Sequence, residues 1–308
     1  AASAWAAGGS GWPIFRQAAS PRPSSLTATA GIEGDLTGAL VNPASLCVIK
    51  GARLQTFGER GVGQDGLGGL LAGVPVAGGA GGVLAAGALY DTAGSMELAW
   101  FDPATKLEQK KTVTAQRDVV GLLTYARPLG RRVGVGATVK RGTSRIAEEM
   151  EATAWAADAG VLWRVLTLRR GGAGSWWQET IMDQVTVGAS VRNLGKAGAF
   201  LKEEARLPTL GTLGVAYARR SKSWVVTVGV EGNYLLPESR WEGGGALEAG
   251  TPVVAFLAGY RRAGPDGFWT LGGTVRLGRL EAAYAWQPSK FLTAAHRVSL
   301  AWRFGRRA

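Results

Sequence analysis

Arg132-Val133-Gly134-Val135-Gly136-Ala137-Thr138-Val139-Lys140 alternates strictly. In an extended chain Val133, Val135, Ala137 and Val139 fall on one side, and Arg132, Gly134, Gly136, Thr138 and Lys140 on the other. Successive side chains of a strand point to opposite faces, so a period of two marks a ribbon with one apolar side. The rhythm returns along the chain. Val185, Val187, Ala189 and Val191 oppose Gln184, Thr186, Gly188, Ser190 and Arg192. Val226, Val228 and Val230 oppose Thr227, Gly229 and Glu231. Leu280, Ala282, Tyr284 and Trp286 oppose Glu281 and Gln287, and Val298, Leu300, Trp302 and Phe304 oppose Arg297, Ser299 and Arg303.

A water-soluble sandwich would alternate in the same way. Three features favour a membrane barrel instead. The segments run to about 9–12 residues, where soluble strands average about 5–6 and a tilted membrane strand needs about 9–11. Tyr125, Tyr217, Trp269, Tyr284, Trp286, Trp302 and Phe304 lie near segment ends on the apolar face, as an interfacial aromatic girdle requires. The opposite face carries Arg, Lys, Glu and Thr, which suits a wet lumen. The expected fold is all-β: a transmembrane antiparallel β-barrel of about 14 strands. Fifteen candidate strands can be marked between residues 49 and 304, one of them over 95–101. A closed single-chain bacterial barrel has an even number, so one early candidate is surplus. Connections at 128–131, 219–222, 249–250 and 278 are short and alternate along the chain, which puts them at one end, expected to be periplasmic. A longer insertion, 165–182, falls at that same end.

The composition agrees. The 308 residues include 47 glycines, 12 tryptophans, one cysteine and one histidine, with a net charge of +12. Interior glycine weakens a helix by about 1 kcal/mol, so this content points to strands and close backbone approach. The uncharged stretch 66–90 is long enough for a membrane helix, but its glycines cluster at 78, 79, 81 and 82; it reads as two strands around a turn. The basic residues are spread throughout without a run, which speaks against nucleic-acid binding. Arg131-Arg132, Arg169-Arg170, Arg219-Arg220, Arg261-Arg262 and Arg306-Arg307 all end apolar segments, a placement suited to snorkelling towards anionic head groups. The expected lipid partners are outer-membrane lipid and lipopolysaccharide.

Enzymatic chemistry is not expected. His296 has no partner nucleophile or metal, and a zinc site cannot be built from Cys47 and His296 alone. Glu148-Glu149 and Glu203-Glu204 read as solvated pairs between strands. No catalytic residue, cofactor or metal is assigned. Residues 1–47 read as an N-terminal arm with a short helical turn N-capped by Asp35, and residues 48–308 as the barrel. The start at Ala1-Ala2-Ser3 carries the expectation that a signal peptide has been removed.

Asn42-Pro43-Ala44-Ser45-Leu46, just before the first strand, resembles the Asn-Pro-Ala-Gly-Leu signature of PorV/PorQ-like outer-membrane proteins, relatives of the FadL-type fatty-acid transporters. Ser45 departs from the usual Gly. Val191-Arg192-Asn193-Leu194-Gly195, Leu207-Pro208 through Val215-Ala216-Tyr217, and the closing Arg303-Phe304-Gly305 resemble further family stretches in the same order. The resemblance implies a fourteen-stranded barrel in the bacterial outer membrane, with an N-terminal segment plugging the lumen and Asn42, Pro43, Ala44 and Leu46 as the plug motif. It further implies a docking component of a surface machine, such as type IX-like secretion or gliding motility or adhesion, with other secretion or motility proteins as partners. Arg169, Arg170, Trp176 and Trp177 are the candidate partner contacts, because Trp and Arg are over-represented at interface hot spots. The alternative is a FadL-like channel for a hydrophobic small molecule. Glycines on the inner face, Gly134, Gly136, Gly188 and Gly229, are expected to let the plug pack closely.

Overall fold

The computed structural model describes residues 12–16, 20–25, 29–61, 66–102, 106–170, 181–200, 203–204, 206–263, 266–289 and 294–305. Before the first strand come a 3-10 turn over Pro13–Phe15, a short helix α1 (Pro21–Ser25), and 3-10 turns over Leu36–Leu40 and Pro43–Val48. The arm therefore contains more regular structure than its Ala, Ser and Pro content implies. Asp35 caps as expected: its side chain accepts from the Thr37 N–H at 2.9 Å.

The strands are β1 (Arg53–Arg60), β2 (Gly66–Pro75), β3 (Val83–Thr92), β4 (Ser95–Asp102), β5 (Leu107–Thr114), β6 (Gln116–Leu129), β7 (Val133–Ile146), β8 (Met150–Arg170), β9 (Ile181–Ala197), β10 (Ala199–Phe200), β11 (Glu203–Glu204), β12 (Leu210–Arg220), β13 (Val225–Leu235), β14 (Arg240–Gly250), β15 (Val254–Ala263), β16 (Asp266–Leu277), β17 (Leu280–Gln287) and β18 (Ala295–Arg303). Fourteen of them form one closed antiparallel barrel, sealed where β1 pairs with β18, Arg53 opposite Arg303 and Arg60 opposite His296. The two exceptions are the small hairpins β4–β5 and β10–β11.

The surplus candidate is 95–101. It is a strand, but its partner is β5, and the pair leaves the wall as a hairpin. Gly94, at φ 81°, turns the chain out, and Ala93 N–H to Gln116 carbonyl (3.0 Å) with Ala115 N–H to Gly94 carbonyl (2.9 Å) closes the hairpin base. β3 then pairs directly with β6, Tyr90 opposite Val119. The four short turns do share one end of the barrel, between β6 and β7, β12 and β13, β14 and β15, and β16 and β17. The insertion at 165–182 is shorter than expected, because β8 runs on to Arg170 and β9 begins at Ile181, opposite it.

The two faces of the wall separate as the alternation requires. Val139 is 51% exposed and Val230 61%, while Thr138 is 1% and Thr227 3% exposed. All seven expected girdle aromatics are exposed on the outer face. Valine and tryptophan facing outwards, around a ladder with no open edge, is the arrangement stable in hydrocarbon, where unpaired peptide groups are costly. Among the described residues, no helix is long and apolar enough to cross a membrane.

Val139 lies midway along β7, so Val139→Arg places a charge against lipid and is expected to lower stability by about 2–4 kcal/mol. Urea unfolding from phospholipid vesicles measures it; an unchanged midpoint would put Val139 somewhere other than against acyl chains.

Candidate functional site

The candidate site is the inner surface of the barrel and the N-terminal residues that lie against it. Asn42, Ala44 and Leu46 are fully buried, and Pro43 is buried between them. Asn42 caps the turn over Pro43–Val48, its Oδ1 accepting from the Ala44 N–H at 3.1 Å. Its Nδ2 donates to the Thr29 carbonyl (2.8 Å) and to the Val161 carbonyl of β8 (3.2 Å). One amide thus ties two parts of the N-terminal segment to the wall. Pro43 supplies the fixed φ suited to the first position of such a turn.

The wall makes room where it lacks side chains. A methyl group at Gly136 would stand 2.5 Å from the Pro43 carbonyl carbon and 2.7 Å from the Ala44 nitrogen. One at Gly188 would collide with the Thr29 carbonyl, whose carbon lies 2.7 Å from it. Only glycine permits this approach. Polar wall residues satisfy the segment's backbone: Thr138 Oγ1 donates to the Ala39 carbonyl (3.1 Å), Ser190 Oγ to Val41 (2.9 Å) and Arg192 to Leu40 (3.1 Å).

Ion pairs add to these bonds. Arg16 meets Glu238 (3.3 Å) and Glu242 (2.9 Å), Glu33 meets Arg164 (3.2 Å), and Arg22 meets Glu248 (3.2 Å), Asp35 (3.7 Å) and Glu281 (3.9 Å). Burial opposes the charge on Arg22, but the three carboxylates more than reverse this, and its pKa is raised. These partners lie as much as 259 positions apart in the chain (22 to 281), so no local pattern reveals them. Burial, the largest effect, also pushes the Cys47 thiol up. Cys47 Sγ faces Gly134.

The interior is polar on one flank and apolar on the other. Glu231, Glu242, Glu248, Glu281 and Arg297 point inwards from β13, β14, β17 and β18. From β1, β2, β3 and β6, Phe57, Leu67, Leu71, Leu89, Val120 and Leu122 form an apolar seam in one cluster with Trp12, Phe15, Leu36 and Leu46.

The register between β8 and β9 shifts twice, between Ala157 and Ala159 and between Arg164 and Leu166, and the alternation does not reveal the first, a bulge. Ala157 pairs with Leu194 and Ala159 with Val191, so Asp158 faces two residues, Arg192 and Asn193. Asn193 adopts φ 59°, a conformation Asn tolerates better than most residues. Asp158 Oδ1 accepts the Asn193 N–H at 2.7 Å, and Lys140 Nζ lies 2.5 Å from Asp158 Oδ2 and 3.0 Å from Asn193 Oδ1. Asn193 Nδ2 donates to the Phe15 carbonyl (3.1 Å) and the Pro208 carbonyl (3.0 Å), joining the bulge to the N-terminal segment. Asn193 and Pro208 both stand in stretches singled out by resemblance; Lys140 and Asp158 have no such signal.

The partner-contact candidates are not brought to one described site. Arg169 and Arg170 end β8, exposed, with Arg170 3.7 Å from Asp183. Trp176 and Trp177 lie outside the described residues. His296 meets the Tyr284 hydroxyl at 2.7 Å on the outer face. Among the described residues, no group of His, Cys, Asp and Glu has the arrangement of a metal site.

No described protein family matches this chain, and no curated protein matches it. Solved structures do. The toluene transporter TodX of Pseudomonas putida is 10% identical, covers 92% of this chain and 99% of its own, and superposes with a TM-score of 0.59. The deltaS2S3 mutant of TodX, a monoaromatic hydrocarbon channel, is 11% identical over 90% of this chain and 96% of its own, with a TM-score of 0.56. A Pseudomonas aeruginosa FadL homologue is 12% identical over 97% of this chain and 100% of its own, with a TM-score of 0.50. The shared property is the fold: a closed barrel of the FadL and TodX type, belonging in the bacterial outer membrane. The more specific PorV/PorQ affiliation and the docking role find no support in these likenesses.

Lys140→Met leaves Asp158 buried and uncompensated, with an expected loss of about 3–5 kcal/mol. Lys140→Met/Asp158→Asn keeps the acceptor for the Asn193 N–H and removes the stranded charge, so it is expected to recover most of that loss in the same urea titration. Gly136→Leu should displace Pro43 and raise the rate of maleimide labelling at Cys47, which is expected to be slow in the wild-type barrel because the thiol is half-buried and burial pushes its pKa up; equal rates would contradict the packing.

Proposed function

We propose that this chain is a non-enzymatic outer-membrane channel for hydrophobic small molecules, with its N-terminal segment as the luminal gate. The observation that carries the reading is the apolar seam from Phe57 to Leu122, facing Trp12, Phe15, Leu36 and Leu46 inside the barrel. A water-filled porin has a polar interior throughout. An apolar seam packed against a segment held by hydrogen bonds and ion pairs suits a hydrophobic solute, which would pass along these side chains when the segment shifts. The architecture common to this chain and a toluene transporter supports the same reading.

Residues 29–49 meet the wall through side chains rather than through a continuous strand ladder, so they can shift without breaking the barrel. Arg16 and Arg22 tie the segment at two heights, to Glu242 near the start of β14 and to Glu248 near its end.

Toluene uptake into a Gram-negative host lacking channels of this type is the direct test. Expression of the chain is expected to raise the initial rate several-fold over an unrelated outer-membrane barrel. Deleting residues 1–30, which removes Trp12, Phe15, Arg16 and Arg22, is expected to raise the leak of small hydrophilic solutes and blunt the preference for toluene. Toluene entry no faster than with the control barrel would overturn the proposal.

A further inference from the structure

The arginine doublets, scattered along the sequence, converge in the fold. Arg131-Arg132 occupy the β6–β7 turn, Arg169-Arg170 end β8, and Arg219-Arg220 end β12, all at the barrel end that carries the short turns. Only Arg261-Arg262, among the doublets described, lies at the other end. Arg127 from β6, Lys222 from the β12–β13 turn and Arg279 from the β16–β17 turn extend the basic rim, and all three are exposed.

The carboxylates at this end do not neutralise it. Among the described residues, Glu33, Asp35, Glu248 and Glu281 face the lumen, where each is already paired with arginine. Asp183 faces outwards but is buried under the Tyr217 hydroxyl (2.7 Å), Arg219 (3.4 Å) and Arg170 (3.7 Å). The opposite end is mixed in sign, with Arg145 paired to Glu151 and Lys111 to Glu148.

The rim also has a ledge. β7 starts at Val133, opposite Trp163, and the last link between β7 and β8 is Arg164 N–H to the Arg132 carbonyl at 2.7 Å. β8 continues to Arg170 paired with β9 alone. Beyond Arg164 its other edge therefore overhangs the Arg131-Arg132 turn with N–H groups that no described strand accepts. Backbone donors unmatched among the described residues, beside three exposed guanidinium groups, are the kind of donors an anion needs. It begins where the lipid-facing band ends, at Tyr125, Trp163 and Tyr217, and Arg219 stacks on Trp224 at 5.5 Å.

We propose that this rim binds the headgroups of anionic glycerophospholipids, with Arg131, Arg132 and Arg169 around the unpaired β8 edge as the main site. An amphiphile satisfies both halves of the surface: acyl chains against the aromatic band, phosphate against arginine. A soluble acidic protein would use only the second half. Short turns mark the periplasmic end of such barrels, where the facing leaflet is phospholipid rather than lipopolysaccharide. The inference is independent of what the lumen conducts.

The test uses the full folded chain in dodecyl maltoside micelles, selected by heat-dependent gel mobility, with the melting midpoint followed by tryptophan fluorescence. Titrated dioleoylphosphatidylglycerol is expected to raise the midpoint, and dioleoylphosphatidylcholine to leave it unchanged. Arg131→Gln/Arg132→Gln/Arg169→Gln should need about tenfold more phosphatidylglycerol for the same shift. The single variant Arg131→Gln should show a smaller deficit, and Arg60→Gln/Arg117→Gln at the opposite rim none. A triple variant that responds like wild type overturns the proposal, as does an equal response to phosphatidylcholine. Stabilisation by lipopolysaccharide at lower concentration than by phosphatidylglycerol would assign the rim to the other leaflet, and displacement of lipid by polyglutamate would assign it to an acidic protein; either result overturns it too.

Discussion

Every peptide group in the hydrocarbon layer must find its partner within the protein, because the lipid offers none. That demand closes β1 onto β18 and tolerates hardly any exception in the wall. It also explains why apolar surface is not what holds the fold together. Val139 and Val230 gain nothing by leaving lipid for a protein interior, so they stay outside. Specific structure accumulates instead on the inner face, where polar side chains and the N-terminal segment satisfy one another.

Where the ladder between β8 and β9 breaks at Asp158, a side chain takes the place of the missing strand partner. At the bulge, the Asp158 carboxylate receives the Asn193 N–H that would otherwise point at nothing, and Lys140 balances the charge this introduces. The spare donors of Asn193 then reach the carbonyls of Phe15 and Pro208. The irregularity in the wall and the position of the N-terminal segment are thus one hydrogen-bonded arrangement. A buried ion pair contributes little net stability compared with a well-packed apolar alternative; this one holds the Asn193 backbone and side chain in place.

The alternation made the strands and their facing legible from single residues such as Val133 and Thr138, because lipid on one side and a wet interior on the other impose opposite demands on neighbouring positions. The same rhythm could not separate 95–101 from barrel strands, since a free hairpin alternates too; what distinguishes it is the close of its base between Ala93 and Gln116. Nor could it show that β8 runs to Arg170, where Leu166 and Leu168 follow a register shift that scrambles the period. In the interior, Asn42 and Asn193 could be singled out through resemblance. Arg22 and its three carboxylates could not, because the contacts depend on how far the wall curves round before meeting the helix α1.

The wall is not the same height all the way round. On β8 the outward positions of the lipid-facing band run from Trp155 to Trp163, whereas on β17 they span only Leu280 to Trp286. A cylinder with one tall flank cannot stand upright in a sheet of uniform thickness without leaving grease in water or headgroups in oil. It must list, or the bilayer must swell on one side and pinch on the other, at a cost of fractions of a kcal/mol for each ångström of misfit. Its lipid annulus is therefore lopsided by construction, and the side towards which it leans is fixed by its own strands.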